Sequence, residues 1–148
     1  MTDRIEKTID LKATPARVWR ALTDSAEFGE WFRVKLEGPF VLGEEIQGRI
    51  TYAGYEHLVW KATVTRMDEP TLFAFTWHPY AVAPDVDYDA EPTTLVEFRL
   101  TPLVDGVRLT VSESGFDALP ADRRDEAFLR NEGGWTIQVE NIRAHVER

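Results

Sequence analysis

Thr94-Leu95-Val96-Glu97-Phe98-Arg99-Leu100-Thr101-Pro102-Leu103-Val104-Asp105-Gly106-Val107-Arg108-Leu109-Thr110-Val111 alternates apolar and polar residues on both sides of a turn dipeptide. Thr94, Val96, Phe98 and Leu100 share one face of the first arm, and Val107, Leu109 and Val111 share one face of the second. A two-residue period marks half-buried strands, and Asp-Gly between two such runs predicts a hairpin turning at Asp105-Gly106. Upstream, Leu58, Trp60, Ala62 and Val64 repeat the pattern. Candidate strands cover about 34–37, 46–52, 57–66, 72–78, 93–101 and 106–115. No segment of helical length separates them, so they should pair antiparallel.

Both ends of the chain read differently. Ile5, Ile9 and Leu11 alternate with Arg4, Glu6 and Asp10 as a first strand. Thr14 then offers a capping hydroxyl, and Pro15 suits the first helical position, where its missing N–H costs nothing. Val18, Trp19 and Leu22 form the apolar stripe of a short helix; Asp24 or Ser25 caps a second one carrying Phe28, Trp31 and Phe32. After Pro120 the period is helical again, with Trp135, Val139, Ile142 and Val146 on one stripe. Gly133-Gly134 either kinks one long helix or separates two. No repeat, low-complexity tract or flexible linker divides the chain, so residues 1–148 are expected to form a single α+β domain.

Composition narrows the function classes. At 148 residues, with 43% apolar and 29% charged side chains, the chain reads as an ordinary globular protein. Cysteine is absent, which excludes disulfides, thiol nucleophiles and thiolate zinc sites and fits a reducing compartment. The net charge of −9 repels phosphate backbones and anionic lipid, so neither nucleic acid nor membrane is an expected partner. Met1–Glu6 shows no basic stretch leading into an apolar run, and no segment approaches the ~18 apolar residues of a membrane span. A cytoplasmic location is expected.

The order strand, two short helices, about six further antiparallel strands and a long amphipathic helix carries specific motifs. Ala13-Thr14-Pro15-Ala16-Arg17-Val18-Trp19-Arg20-Ala21-Leu22-Thr23-Asp24 resembles the opening signature of the START-like, helix-grip superfamily known as SRPBCC. Trp31-Phe32, Phe75-Thr76-Trp77, Leu109-Thr110-Val111-Ser112-Glu113-Ser114-Gly115-Phe116 and Gly133-Gly134-Trp135 are similar to segments of one branch, the homologues of the activator of heat-shock-protein-90 ATPase. The resemblance spans essentially the whole chain. It implies a curved antiparallel sheet of six to seven strands gripping the C-terminal helix, with a cavity between them for a small hydrophobic or aromatic molecule.

A cavity of that kind needs apolar walls and a few convergent polar groups. Wall candidates are Trp31, Phe32, Trp60, Phe75, Trp77, Phe98, Phe116, Trp135 and Val139, each of which could equally fill the core. Extending the inward phase of Val107, Leu109 and Val111 places Glu113 on the concave face, where a carboxylate must be paired, hydrated or protonated. It can orient a ligand, act as general acid or base, turn to solvent before Gly115, or pair with an arginine such as Arg130. His78 is the second catalytic candidate, at the cavity mouth, although its phase opposes that of Trp77 and only one of the two should face inward. His57 reads as an exposed loop residue and His145 as a favourable charge at a helix C-terminus.

The acidic run Asp85-Val86-Asp87-Tyr88-Asp89-Ala90-Glu91 alternates like a calcium loop, but Ala90 and Val96 stand where the turn glycine and the bidentate glutamate belong. Residues 79–92, with Pro79, Pro84 and Pro92, read instead as a loop over the site. No metal site and no cofactor is expected: nucleophile-elbow, dinucleotide and zinc-helix motifs are all missing. Three functions remain. The first is binding of a hydrophobic ligand, by a monomer or homodimer. The second is a cyclase, dehydratase or hydrolase using Glu113 with His78 or Tyr80. The third is a chaperone or stress-response cofactor.

Overall fold

A computed structural model describes residues 3–82 and 86–148. β1 (Arg4–Leu11) leads into α1 (Pro15–Thr23), whose first turn is closed by the Thr14 hydroxyl accepting from the Arg17 amide at 3.1 Å. Asp24 caps α2 (Ser25–Phe32), accepting from the amides of Ala26 and Glu27. Then come β2 (Val34–Leu36), β3 (Glu45–Ile50), β4 (Val59–Asp68), β5 (Leu72–Trp77), β6 (Thr94–Leu103) and β7 (Gly106–Ser114). α3 (Ala121–Glu147) ends the chain. The strands form one antiparallel sheet in the order β1-β7-β6-β5-β4-β3-β2. The helix-grip architecture is the one expected.

Two local expectations are corrected. The β6–β7 turn is Val104-Asp105, because Leu103 pairs with Gly106 inside the ladder. Gly106 serves packing: a Cβ there would stand 2.2 Å from the Leu11 carbonyl oxygen on β1. α3 runs unbroken through Gly133-Gly134. Two interior glycines cost a helix about 1 kcal/mol each relative to alanine, so tertiary packing keeps α3 continuous. That packing comes from buried Trp135, Val139, Ile142 and Val146, four positions on the stripe already legible in sequence.

The core is aromatic. Phe28, Trp31, Phe32, Phe40, Trp60, Phe73, Phe75, Trp77, Phe98 and Trp135 form one linked cluster between the sheet, α2 and α3. Most contacts are edge-to-face, the arrangement that the ring quadrupole favours.

The far end of α3 is tied down electrostatically. His145, expected as a favourable charge at the helix C-terminus, is buried there, with its Nε2 2.9 Å from Glu27 Oε1 on α2. Arg17 and Arg20 of α1 reach the same carboxylate at 2.6 and 2.7 Å. Burial pushes the Glu27 carboxyl up, but hydrogen bonds from His145 and Arg17 and the arginine charges outweigh it and hold the group below its ordinary 4.5. A group depressed in the folded state stabilises above its unfolded value and loses that contribution as pH falls through the folded one. Glu27→Gln is therefore expected to be less stable than the parent at neutral pH. The gap should shrink below about pH 4.5, as checked by thermal melts from pH 7 to 3.

Candidate functional site

β5 delivers Trp77 to the rim of the sheet and stops there; His78-Pro79 leave the ladder. Beside them β4 begins with Val59, Trp60 and Lys61, and β3 ends at Ile50. Facing these ends, Tyr80, Ala81 and Val82 form one wall, and Val86, Asp87, Tyr88 and Asp89 continue it. His57 and Leu58 close the third side. The half-open cavity measures about 410 Å³, a size typical of small-ligand sites. His78 and Trp77 both line it, contrary to the expectation from strand phase, because His78 lies just beyond the end of β5 and the alternation no longer governs it. His57 is exposed as expected, yet it too borders the cavity.

Among the described residues one buried side-chain polar atom lacks a hydrogen-bond partner, the indole Nε1 of Trp60, whose ring packs into the aromatic cluster behind this wall. An unmade bond on a desolvated donor costs about 1–3 kcal/mol.

The wall formed by residues 80–82 and 86–89 is fastened by one side chain of α3. Arg123 Nε contacts Glu91 Oε1 at 2.8 Å, and its two terminal nitrogens donate to the carbonyls of Tyr80 at 3.1 Å and Pro79 at 2.9 Å. Its guanidinium also lies 4.8 Å from the centre of the Tyr88 ring. Arg130 covers the Tyr80 ring at 5.6 Å. Tyr80 itself sits at φ 50°, a left-handed conformation that a non-glycine residue rarely holds unless its surroundings impose it. His78 Nε2 meets the Glu91 carbonyl at 3.1 Å; a carbonyl only accepts, so that nitrogen carries the proton.

Beneath Trp77 lies Glu113, fully buried. Its Oε2 accepts from Trp77 Nε1 at 2.7 Å and from the Thr94 hydroxyl at 2.6 Å. Its Oε1 accepts from Trp135 Nε1 at 2.8 Å, and Asn131 Nδ2 reaches both oxygens at 3.0 and 3.2 Å. Every contact comes from a neutral group. Two sequence alternatives are corrected: the residue does not turn to solvent, and Arg130 contacts Glu126 and Tyr80 instead.

The expected site residues thus divide. Trp60, Trp77 and His78 line the cavity; Trp31, Phe32, Phe75, Phe98 and Trp135 belong to the cluster that fills the space between sheet and α3. Phe116 packs on Phe128 at 5.1 Å, outside that cluster. Val139 borders a shallow groove beside Asp10 and Arg108. Sequence reasoning missed Ile50, Lys61 and Tyr88 as walls and Arg123 as the fastening. Tyr80 and Tyr88 in a proline-rich loop were the available signal; nothing local marks Arg123. Among the described residues no group of three or more His, Asp or Glu could hold a metal ion. Among the described residues no helix is long and apolar enough to cross a membrane.

The sequence profile of the activator of Hsp90 ATPase homolog 1-like proteins matches residues 12–147. The chain belongs to that family. No curated protein matches it. Solved structures with the same fold include a protein of Mesorhizobium loti, 23% identical over 98% of this chain and 97% of that one, at a TM-score of 0.77. DynU16, from the dynemicin biosynthetic locus, is 20% identical with a TM-score of 0.76; the match covers 99% of this chain and 48% of DynU16. The Aha1 dimer of Colwellia psychrerythraea is 17% identical over 99% and 97% of the two chains, with a TM-score of 0.74. At these identities the likeness concerns fold.

Proposed function

We propose that this member of the Hsp90-activator-homologue family is a cytoplasmic protein that binds a small apolar or aromatic molecule in the cavity at the open ends of β4 and β5. The observation that carries the reading is a cavity of about 410 Å³ whose walls are Ile50, Leu58, Val59, Trp60, Trp77, Tyr80 and Val82. An apolar or aromatic ligand fits such walls. Glu113 enters as a positioning group: it fixes the indole of Trp77, a cavity wall, by a 2.7 Å bond. With donors on both oxygens it has no free lone pair directed at the cavity, so binding is favoured over acid–base chemistry.

Native mass spectrometry of freshly purified protein, before and after denaturation, is the first test, followed by tryptophan-fluorescence titration with a series of aromatic acceptors such as naphthols and flavones. A bound molecule, or saturable quenching, is expected. Trp60→Phe keeps an aromatic wall and deletes the unpartnered buried donor, so the melting temperature should hold or rise while binding persists. No copurifying molecule and no response to the series would overturn the reading.

A further inference from the structure

Gly133 and Gly134 stand in mid-helix with nothing within 4 Å of the place where a Cβ would be. Every other glycine of the chain either has a positive φ or has a backbone atom within 2.5 Å of that place. The pair is therefore the one pair of glycines that neither backbone conformation nor close packing demands, although glycine is the poorest helix former after proline. What α3 holds changes character across it. Toward the C-terminus lie buried Trp135, Val139, Ile142, His145 and Val146, and Gln138 Nε2 donates to the Phe32 carbonyl at 3.1 Å. Toward the N-terminus only Ala127 and Phe128 are buried in the helix. That half is attached chiefly by polar bonds, those of Arg123 to Pro79, Tyr80 and Glu91 and that of Asn131 to Glu113. The half with less buried apolar surface is the one that opens at lower free energy.

We infer that Gly133-Gly134 is a hinge on which the N-terminal half of α3 swings, with Arg123 as its latch, and that this motion controls access to the cavity. The two bonds to Glu113 Oε1 come from opposite sides of the hinge, Asn131 before it and Trp135 after it. Opening withdraws the amide and leaves the indole in place. Glu113 Oε1 then keeps the Trp135 bond and loses its second donor, which a hydroxyl or N–H of a ligand can replace, while Pro79, Tyr80 and Tyr88 lose the side chain that holds their wall. Control of access rests on the binding function proposed above; the hinge does not.

The chain lacks cysteine, so spin labels can be placed at will on the full-length protein. Distances are measured by electron–electron double resonance from Glu6→Cys on β1 to Asp125→Cys before the hinge and, separately, to Glu140→Cys after it. The expected result is two distances for the first pair and one for the second. Arg123→Ala should raise the longer population of the first pair severalfold. Should that variant fold poorly, Arg123→Lys, which keeps the charge but loses the three-pronged grip, serves the same purpose. The double substitution Gly133→Ala, Gly134→Ala should collapse the first pair to one distance, whereas Thr136→Ala, which also raises helix propensity, should not. A single distance for the first pair, unmoved by any of these changes, overturns the hinge. With 1-anilinonaphthalene-8-sulfonate as probe, the double alanine variant should associate about tenfold more slowly. An unchanged association rate overturns the access role, and absence of probe binding in the parent removes the binding function while the distances still decide the hinge.

Discussion

Glu113→Gln lowers the stability of the folded protein by about 3 kcal/mol, even though the side chain keeps its volume. The carboxylate faces donors alone: two indoles, one hydroxyl and one amide nitrogen. A glutamine amide replaces one acceptor oxygen by a further donor. Whichever way it turns, an indole N–H of Trp77 or Trp135 or the Asn131 amide meets N–H instead of oxygen, in a place that no water reaches. Hydrogen bonds to a charged acceptor contribute about 1.5–3 kcal/mol each, and a stranded buried donor costs about 1–3 kcal/mol. The loss should appear in urea denaturation together with a shift of tryptophan emission, because Trp77 and Trp135 are both released. A change smaller than about 1 kcal/mol would show that Glu113 does not organise the site.

Phe28→Ala should cost more still, about 3–5 kcal/mol. Phe28 is wholly buried, and its ring centre lies 4.8 Å from that of Trp31, 4.9 Å from Phe32, 5.3 Å from Phe40 and 5.8 Å from Trp60. Those neighbours come from α2, from the β2–β3 connection and from β4, so no single movement can close the hole. Trp31 is further restrained by its Nε1–H bond to the Ala21 carbonyl at 2.8 Å. Phe28→Leu, which keeps most of the volume, should cost under about 2 kcal/mol. Equal losses for the two variants would mean that the rings relax freely, contrary to the close packing described here.

The family motifs and the alternation in β4, β6 and β7 were enough to read the architecture and the inward phase of Glu113. The same alternation misdirected the reading of His78, which sits one residue past the last ladder pair of β5. The aromatics posed a different problem. Their number predicts an aromatic interior, but whether Trp31, Phe75 or Phe98 faces a void or another ring depends on how closely α2 and α3 approach the sheet. Asp85 and Pro84, part of the acidic loop read from the sequence, lie outside the described residues.

Local chemistry along the chain determined the strands, the caps at Thr14 and Asp24, the apolar stripe of α3 and the inward phase of Glu113. These follow from periods of 2 and 3.6 residues and from side chains bonding to amides two or three positions away. Tertiary structure alone decided the rest. The donors around Glu113 come from β5, β6 and α3, Arg123 reaches back across more than thirty residues to Glu91, and the cavity stands at the sheet rim because the rings had already filled the space beneath α3. Such contacts depend on where elements distant in sequence come to rest against one another, and no periodicity in a chain encodes that separation.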